Sequence, residues 1–291
     1  MAHTGKGKNV TSILITGGSG SFGRAFARHC LDQGIQRICI YSRGEHTQAQ
    51  MRQELGDDER LRWFIGDVRD RARLRRAMEG CKWMVHAAAL KRLEVCEYCP
   101  LEAVKTNVIG AMNIIEAAQD AGVSKVVALS TDKASAPANV YGASKMMMER
   151  MMLAANNTVG ANGPKFAVTR YGNIAGSQGS VIQKWRQQIA ASGPITMTNE
   201  NATRFWMTIS EAVDLVYGTL NTMAGGELVV PTLPAYRLGD LCNAMNDGGV
   251  EVCITGMGPG EKLHESMTEG EPSNLARRMS VDELREALRY V

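Results

Sequence analysis

Short apolar runs alternating with helical stretches organise the first part of the chain. Ser12–Thr16 is an apolar run that ends in glycines, and Phe22–Leu31 then carries a helical period. Arg37–Tyr41, Trp63–Ile65, Trp83–His86, Lys125–Ser130 and Phe166–Arg170 read as further strands. A helix after Asp67 places Leu74, Ala77 and Met78 on one face, and Val104–Ala121 is helical. Strands alternating with helices predict an α/β doubly wound fold, a parallel sheet covered on both faces.

After Tyr171 the pattern changes. Residues 172–201 are richer in Gly, Ser and Asn. Thr208 and Glu211 spell a capping box ahead of Val213, Val216 and Leu220, and Ser280 and Glu283 spell another before a helix at Val281. Glu227–Val230 reads as a strand, followed by a break at Pro231–Pro234. The layout predicts a nucleotide-binding domain at 1–171 and 205–232. A smaller, non-contiguous substrate lobe would occupy 172–204 and 233–291.

Composition narrows the class. At 291 residues, 44% hydrophobic and 22% charged, the chain can bury a large core. A net charge of +3 argues against a nucleic-acid partner. The arginines between Arg69 and Arg76, interleaved with Asp70 and Leu74, read as a solvated helix face. No stretch reaches the roughly 18 to 20 apolar residues that span a bilayer. Residues 1–10 are polar and read as a lead-in rather than a signal peptide. Seven cysteines without framework spacing point to a reducing, cytoplasmic compartment. Cys96 and Cys99 lack a second ligand pair and read as ordinary cysteines.

Between the first strand and first helix, glycines at 17, 20 and 23 have the spacing of a dinucleotide-binding turn. Glycine lets the backbone approach a pyrophosphate, and the helix start offers free N–H groups. Gly17, Ser19, Gly20, Ser21, Phe22 and Gly23 are therefore candidate cofactor contacts. The second strand ends in Tyr41-Ser42-Arg43 rather than an acid. Ser42 and Arg43 suit a 2′-phosphate through charge-assisted bonds, so NADP is expected over NAD, although Glu45 lies close by.

Tyr141 and Lys145 are four apart, one face of a helix. A lysine beside a phenol stabilises the phenolate and lets tyrosine act as a base. After the glycine turn and the fifth strand, this pair resembles the short-chain dehydrogenase/reductases. Ala87, Ala88 and Asn107 resemble that class too, while His86 reads as a packed strand-end histidine.

Thr131-Asp132-Lys133 closes the fifth strand. Polarising a carbonyl needs only a hydroxyl there; an acid and an amine beside it imply more than hydride transfer. A dehydratase needs a group to deprotonate an alcohol, one to remove a carbon-bound proton and one to protonate a leaving hydroxyl. Tyr141, Lys133 and Asp132 can fill those roles, with burial and Lys145 expected to lower the Lys133 pKa and Asp132 to oppose them.

The stretches FIGDVRD (64–70), HAAALK (86–91), ALSTDKA (128–134), RYGN (170–173), TRFWMT (203–208) and PGEKLHE (259–265) run along most of the chain. On these the sequence resembles the inverting UDP-N-acetylglucosamine 4,6-dehydratases, an extended short-chain dehydrogenase/reductase family of polysaccharide biosynthesis. The resemblance implies a lyase with transiently reduced NADP, a UDP-sugar substrate and a homo-oligomeric active form. It implies that Asp67 and Val68 lie near the adenine. Lys91 and Asn173 would face the sugar nucleotide, while Ser180, Val181 and Arg204 line its pocket, with Glu261 nearby. The methionine-rich Met146–Met152 is the expected partner surface.

Four departures stand out. Gly258 and Gln178 occupy positions where the family carries arginine, each removing a diphosphate contact. Residues 45–50 lack a lysine the family often has, and the segment beyond Thr268 is shorter, implying a reduced lid. The alternatives are a 4-epimerase or ketoreductase of the same fold, or an NADP-sensing protein without catalysis.

Overall fold

The computed structural model describes residues 11–291; the polar lead-in read at residues 1–10 lies outside them. Seven parallel strands form the central sheet. In chain order they are β1 (Ser12–Thr16), β2 (Arg37–Ser42), β3 (Leu61–Ile65), β4 (Trp83–His86), β5 (Lys125–Leu129), β6 (Lys165–Thr169) and, near the end, β10 (Leu228–Val229). Their spatial order is β10-β6-β5-β4-β1-β2-β3. The chain runs outward from β1 to β3 and then returns to β4 on the other side. That reversal opens a crevice at the carboxyl ends of β1 and β4, where Thr16 pairs with Tyr41 on one side and His86 on the other.

The central strands are apolar along their middles because both faces are covered, with charged residues at the starts of β2, β5 and β6 and in the edge strand β3. Ile13 and Ile15 face one cluster, with Phe22 and Phe26 of α1 (Ser21–Asp32) and Val213 and Val216 of α9 (Ile209–Thr222). Leu14 faces the other, with Leu74 of α3 (Arg71–Met78), Ile114 of α6 (Gly110–Asp120) and Met148 and Met152 of α7 (Val140–Ala155). Met148 and Met152 are fully buried, so the methionine-rich stretch gives part of its length to the core rather than to the expected partner surface; Met147 and Arg150 are its exposed side chains.

The remaining elements are short. A helix absent from the sequence reading, α2 (Glu45–Leu55), follows β2. After β4 come α4 (Leu93–Tyr98), α5 (Pro100–Ala103) and a π-helical turn at Val104–Ile109. The expected single helix from Val104 to Ala121 therefore begins with a wider turn, a feature frequent at functional sites. Asn107 in that turn donates to the Leu90 carbonyl and accepts from its N–H, both at 2.9 Å.

Later residues build a third cluster around Trp185 of α8 (Val181–Ala190), Trp206, Tyr236 and Leu241 of α10 (Leu238–Met245), and Leu284 of α11 (Val281–Leu288). Its strands are β7 (Asn173–Ile174), β8 (Ile195–Met197), β9 (Thr203–Met207), β11 (Ala235–Arg237) and β12 (Val252–Ile254). β9 lies between β11 and β7, and β8 pairs with β12. Both capping boxes form, Thr208 with Glu211 and Ser280 with Glu283. Such caps contribute about 1 kcal/mol each. Among the described residues, no helix is long and apolar enough to cross a membrane.

Candidate active site

A cavity of about 1280 Å³ runs from the glycine turn across the carboxyl ends of the strands to the third cluster, at Trp185, Trp206 and Tyr236. That exceeds the volume of a single small-ligand site, so it can take two ligands end to end. At one end Gly17 adopts φ +63°, where a Cβ would come within 2.9 Å of the Ala87 backbone. Gly23 packs so closely on Gly18 that a Cβ would lie 2.4 Å from its carbonyl oxygen. These contacts seat the turn against the strand ends. Gly20 precedes α1 with no side-chain cap and no acid in its first turn, leaving N–H groups for an anion. Ser19, Ser21 and Phe22 also line the cavity there, with Ala87 and Ala88 opposite. These features fit a dinucleotide pyrophosphate.

Further out, Ser42 accepts a hydrogen bond from Ser19 at 2.9 Å. Arg43 is largely exposed and lies 3.9 Å from Asp67, which Arg69 also grips at 2.7 Å. Asp67 and Val68 line this end. Among the described residues, Arg43 is thus a cation just past the end of β2 with only a long contact to hold it.

At the centre, β5 delivers Thr131, Asp132 and Lys133, and α7 delivers Tyr141 and Lys145. Lys133 Nζ donates to Asp132 Oδ1 at 3.1 Å and to Asn173 Oδ1 at 3.4 Å. Thr131 Oγ1 donates to Asp132 Oδ1 at 3.0 Å. Asp132 is fully buried and lies one layer behind the cavity wall, with Oδ2 lacking a hydrogen-bond partner among the described residues. Asn107 is also behind the wall. It ties Leu90 to Ser144, so it supports the loop after β4 rather than touching the cavity.

The electrostatics differ from the sequence expectation. Burial pulls the Lys133 pKa down, but the Asp132 and Glu265 carboxylates outweigh it, and the ammonium is held above its ordinary value. Glu265 lies 3.3 Å from Lys133 and was not singled out in the sequence. Burial pushes the Tyr141 phenol up to about 12, opposed by the Lys133 ammonium and Thr131. Among the charges acting on Tyr141, that of Lys133 favours the phenolate. Lys145 is lowered to about 8 by burial, partly opposed by Glu149. Glu149 in turn holds Arg170 at 2.6 Å, fixing the end of β6.

His86 donates or accepts at Thr16 Oγ1 at 2.9 Å and is lowered to about 3 by burial and the Lys145 charge, so it is a neutral packed residue. Cys96 is buried against the Leu90 carbonyl.

On the far side Lys91 donates to the Gln178 carbonyl at 3.1 Å, and Gln178 N–H donates to Ser21 at 3.0 Å, closing the loop after β7 over the start of α1. Lys91, Asn173, Ser180, Val181, Arg204 and Glu261 all line this part. Arg204 donates to the Leu263 carbonyl at 3.1 Å, and Glu261 accepts from Gly258 N–H at 3.2 Å. Apart from Asp132 and Asn107, the catalytic, cofactor and substrate candidates read from the sequence all line one cavity.

A family model described as polysaccharide biosynthesis protein matches residues 13–282. The inverting UDP-N-acetylglucosamine 4,6-dehydratase of Campylobacter jejuni is 42% identical, over 92% of this chain and 80% of its own. A UDP-glucose 4-epimerase of Rickettsia rickettsii is 39% identical, over 89% of this chain and 78% of its own. Among solved structures, Pen from Bacillus thuringiensis superposes with a TM-score of 0.91 at 32% identity, covering 97% of this chain and 99% of its own. The cavity and its side chains thus sit in a frame shared along nearly the whole chain, and the protein belongs to the polysaccharide biosynthesis protein family.

Proposed function

We propose that the protein is a nucleotide-sugar 4,6-dehydratase that converts UDP-N-acetylglucosamine, or a close relative, to a UDP-4-keto-6-deoxy sugar with inversion at C5. The observation that carries this is the Thr131–Asp132–Lys133 cluster beside Tyr141 in a cavity that also reaches the glycine turn. An epimerase or ketoreductase uses a tyrosine and lysine like Tyr141 and Lys145 but has no task for the acid–amine pair. A cofactor sensor has no task for any of the four.

The cofactor is a nicotinamide dinucleotide, held by the turn from Gly17 to Gly23, by Asp67 and Val68, and by Tyr141 and Lys145. Bound there, it supplies a reversible hydride acceptor. NADP is favoured over NAD because Arg43 presents an exposed cation at the end of β2.

Tyr141 takes the proton of the C4 hydroxyl. The resulting ketone acidifies the neighbouring C5–H, which Lys133 removes, while Asp132 provides the proton for the departing C6 hydroxyl. The resting ammonium and carboxylate hold as many protons as the neutral amine and carboxylic acid this step requires. A shift across the 3.1 Å bond converts one pair to the other. Because Asp132 is buried, its proton reaches the cavity through the Thr131 hydroxyl.

Two units share the work: 1–171 with 205–232 for the cofactor, and 172–204 with 233–291 for the sugar nucleotide. The active form is a homo-oligomer, and the surface that supports this is the exposed apolar group Val95, Tyr98, Leu101, Val104 and Met147. A reducing cytoplasm suits seven unpaired cysteines, with Cys39 and Cys81 sulfurs 3.7 Å apart.

Purified protein given UDP-N-acetylglucosamine and a trace of NADP should accumulate keto product with no net NADPH formed. Stoichiometric NADPH consumption would instead mark a ketoreductase, and a C4 epimer an epimerase.

A further inference from the structure

Glu265 is a buried carboxylate to which the chemistry above gives no task. It lies in an irregular segment after β12 and is 2% exposed. One oxygen stands 3.3 Å from Lys133 Nζ; the other has no hydrogen-bond partner among the described residues, and its nearest cation is Lys262 at 3.9 Å. The side chain is not needed to hold its own segment. Glu265 N–H donates to Ser273 Oγ at 3.1 Å, the Met267 carbonyl accepts from Arg170 at 2.7 Å, and His264 is tied to Thr203 at 2.8 Å. Burying a third charge beside an existing ion pair costs free energy, and with one oxygen lacking a hydrogen-bond partner among the described residues the contact to Lys133 offsets that cost only in part.

We propose that Glu265 is a positioning residue for Lys133: from the second lobe it draws the amine away from Asp132 toward the cavity, and its charge sets the pH range in which Lys133 can take a proton. The inference rests on the dehydratase reading. The groups facing Lys133 are Asp132 on its own turn, Glu265 from the segment after β12, Arg204 on β9, Tyr141 on α7 and Tyr236 on β11. Glu265 itself faces Lys133 and Lys262. Two carboxylates against one ammonium leave a negative cluster that Arg204 only partly offsets. With the Glu265 charge removed, burial and Arg204 act on Lys133 against Asp132 alone, and the ammonium releases its proton at lower pH.

The test is the pH profile of C5–H exchange into heavy water during turnover. In Glu265→Gln the rising limb should move to lower pH by about one unit or more. Glu265→Asp keeps the charge and should return the limb toward the wild-type position; it serves the same comparison if the Gln variant does not fold. A merely structural role would lower the rate at every pH and leave the limb in place, and that result would overturn the proposal. A substrate-free arm uses thermal melting. Lys133→Met strands Glu265 and should lower the melting temperature, and Lys133→Met/Glu265→Gln should recover part of the loss. No recovery would overturn the pairing. Wild-type protein that makes no keto product contradicts the dehydratase reading, and the melting arm then decides the pairing by itself.

Discussion

Lys133 Nζ lies 3.1 Å from Asp132 Oδ1, an oxygen that also accepts from Thr131 at 3.0 Å. A base and an acid joined in this way can exchange a proton without solvent. Lys133→Met should therefore bind cofactor and substrate yet lose dehydration by roughly 10² to 10⁴-fold, as expected when a general base is removed. C5–H exchange should vanish, while Tyr141→Phe should stop earlier, before any reduced nicotinamide appears on the enzyme. Near-normal dehydration by Lys133→Met would mean that another group removes the C5 proton.

Lys145 makes the stability of the protein depend on alkaline pH. Its folded pKa is lowered to about 8 from 10.5, so between those values the unfolded chain holds more protons. Stability should therefore rise with pH across that window, where the buried ammonium is relieved. Lys145→Met should flatten this rise and stabilise the protein at pH 7 by on the order of 1 to 3 kcal/mol. Denaturant unfolding at several pH values measures both effects.

Much of this was legible in the sequence, for physical reasons that vary along the chain. Ser12–Thr16 and Trp83–His86 were placed to the residue because buried parallel strands are apolar runs with sharp polar ends. α2 escaped notice because only Gln48 and Met51 are buried, too few for a helical period. The second lobe was opaque for another reason. β7 has two residues and β8 and β12 three each, and their partners lie far away in sequence. Glu265 was passed over although it stands inside a recognised motif, where attention went to Glu261. Only the folded segment shows that Glu265 turns inward while Glu261 binds the turn at Gly258. The sequence set burial and Lys145 against Asp132 at Lys133 and left the balance open; Glu265 adds a second carboxylate on the side of Asp132.

Arg43 predicts cofactor choice. Arg43→Ala should weaken NADP by about tenfold or more, the loss of one charge-assisted contact, and leave NAD nearly unchanged. Titration of both cofactors by fluorescence decides it. Equal weakening of the two would remove the 2′-phosphate from the account.

The exposed apolar group on α4, α5 and the adjoining turn predicts self-association. Tyr98 and Leu101 are 87% and 72% exposed. Light scattering at micromolar concentration should give a multiple of the 31.6 kDa chain mass, and Leu101→Glu should shift it toward the monomer. A wild-type mass equal to one chain contradicts the prediction.

The central claim is dehydration by transfer of hydride from C4 to C6 with proton exchange at C5, and NMR of UDP-N-acetylglucosamine incubated with the protein in heavy water tests it most directly. The account predicts a C6 methyl signal, a C4 ketone or its hydrate, and deuterium at C5, with the cofactor unchanged in amount. Retention of the C6 hydroxymethyl group, with only a change of configuration at C4, would contradict it and make the protein an epimerase.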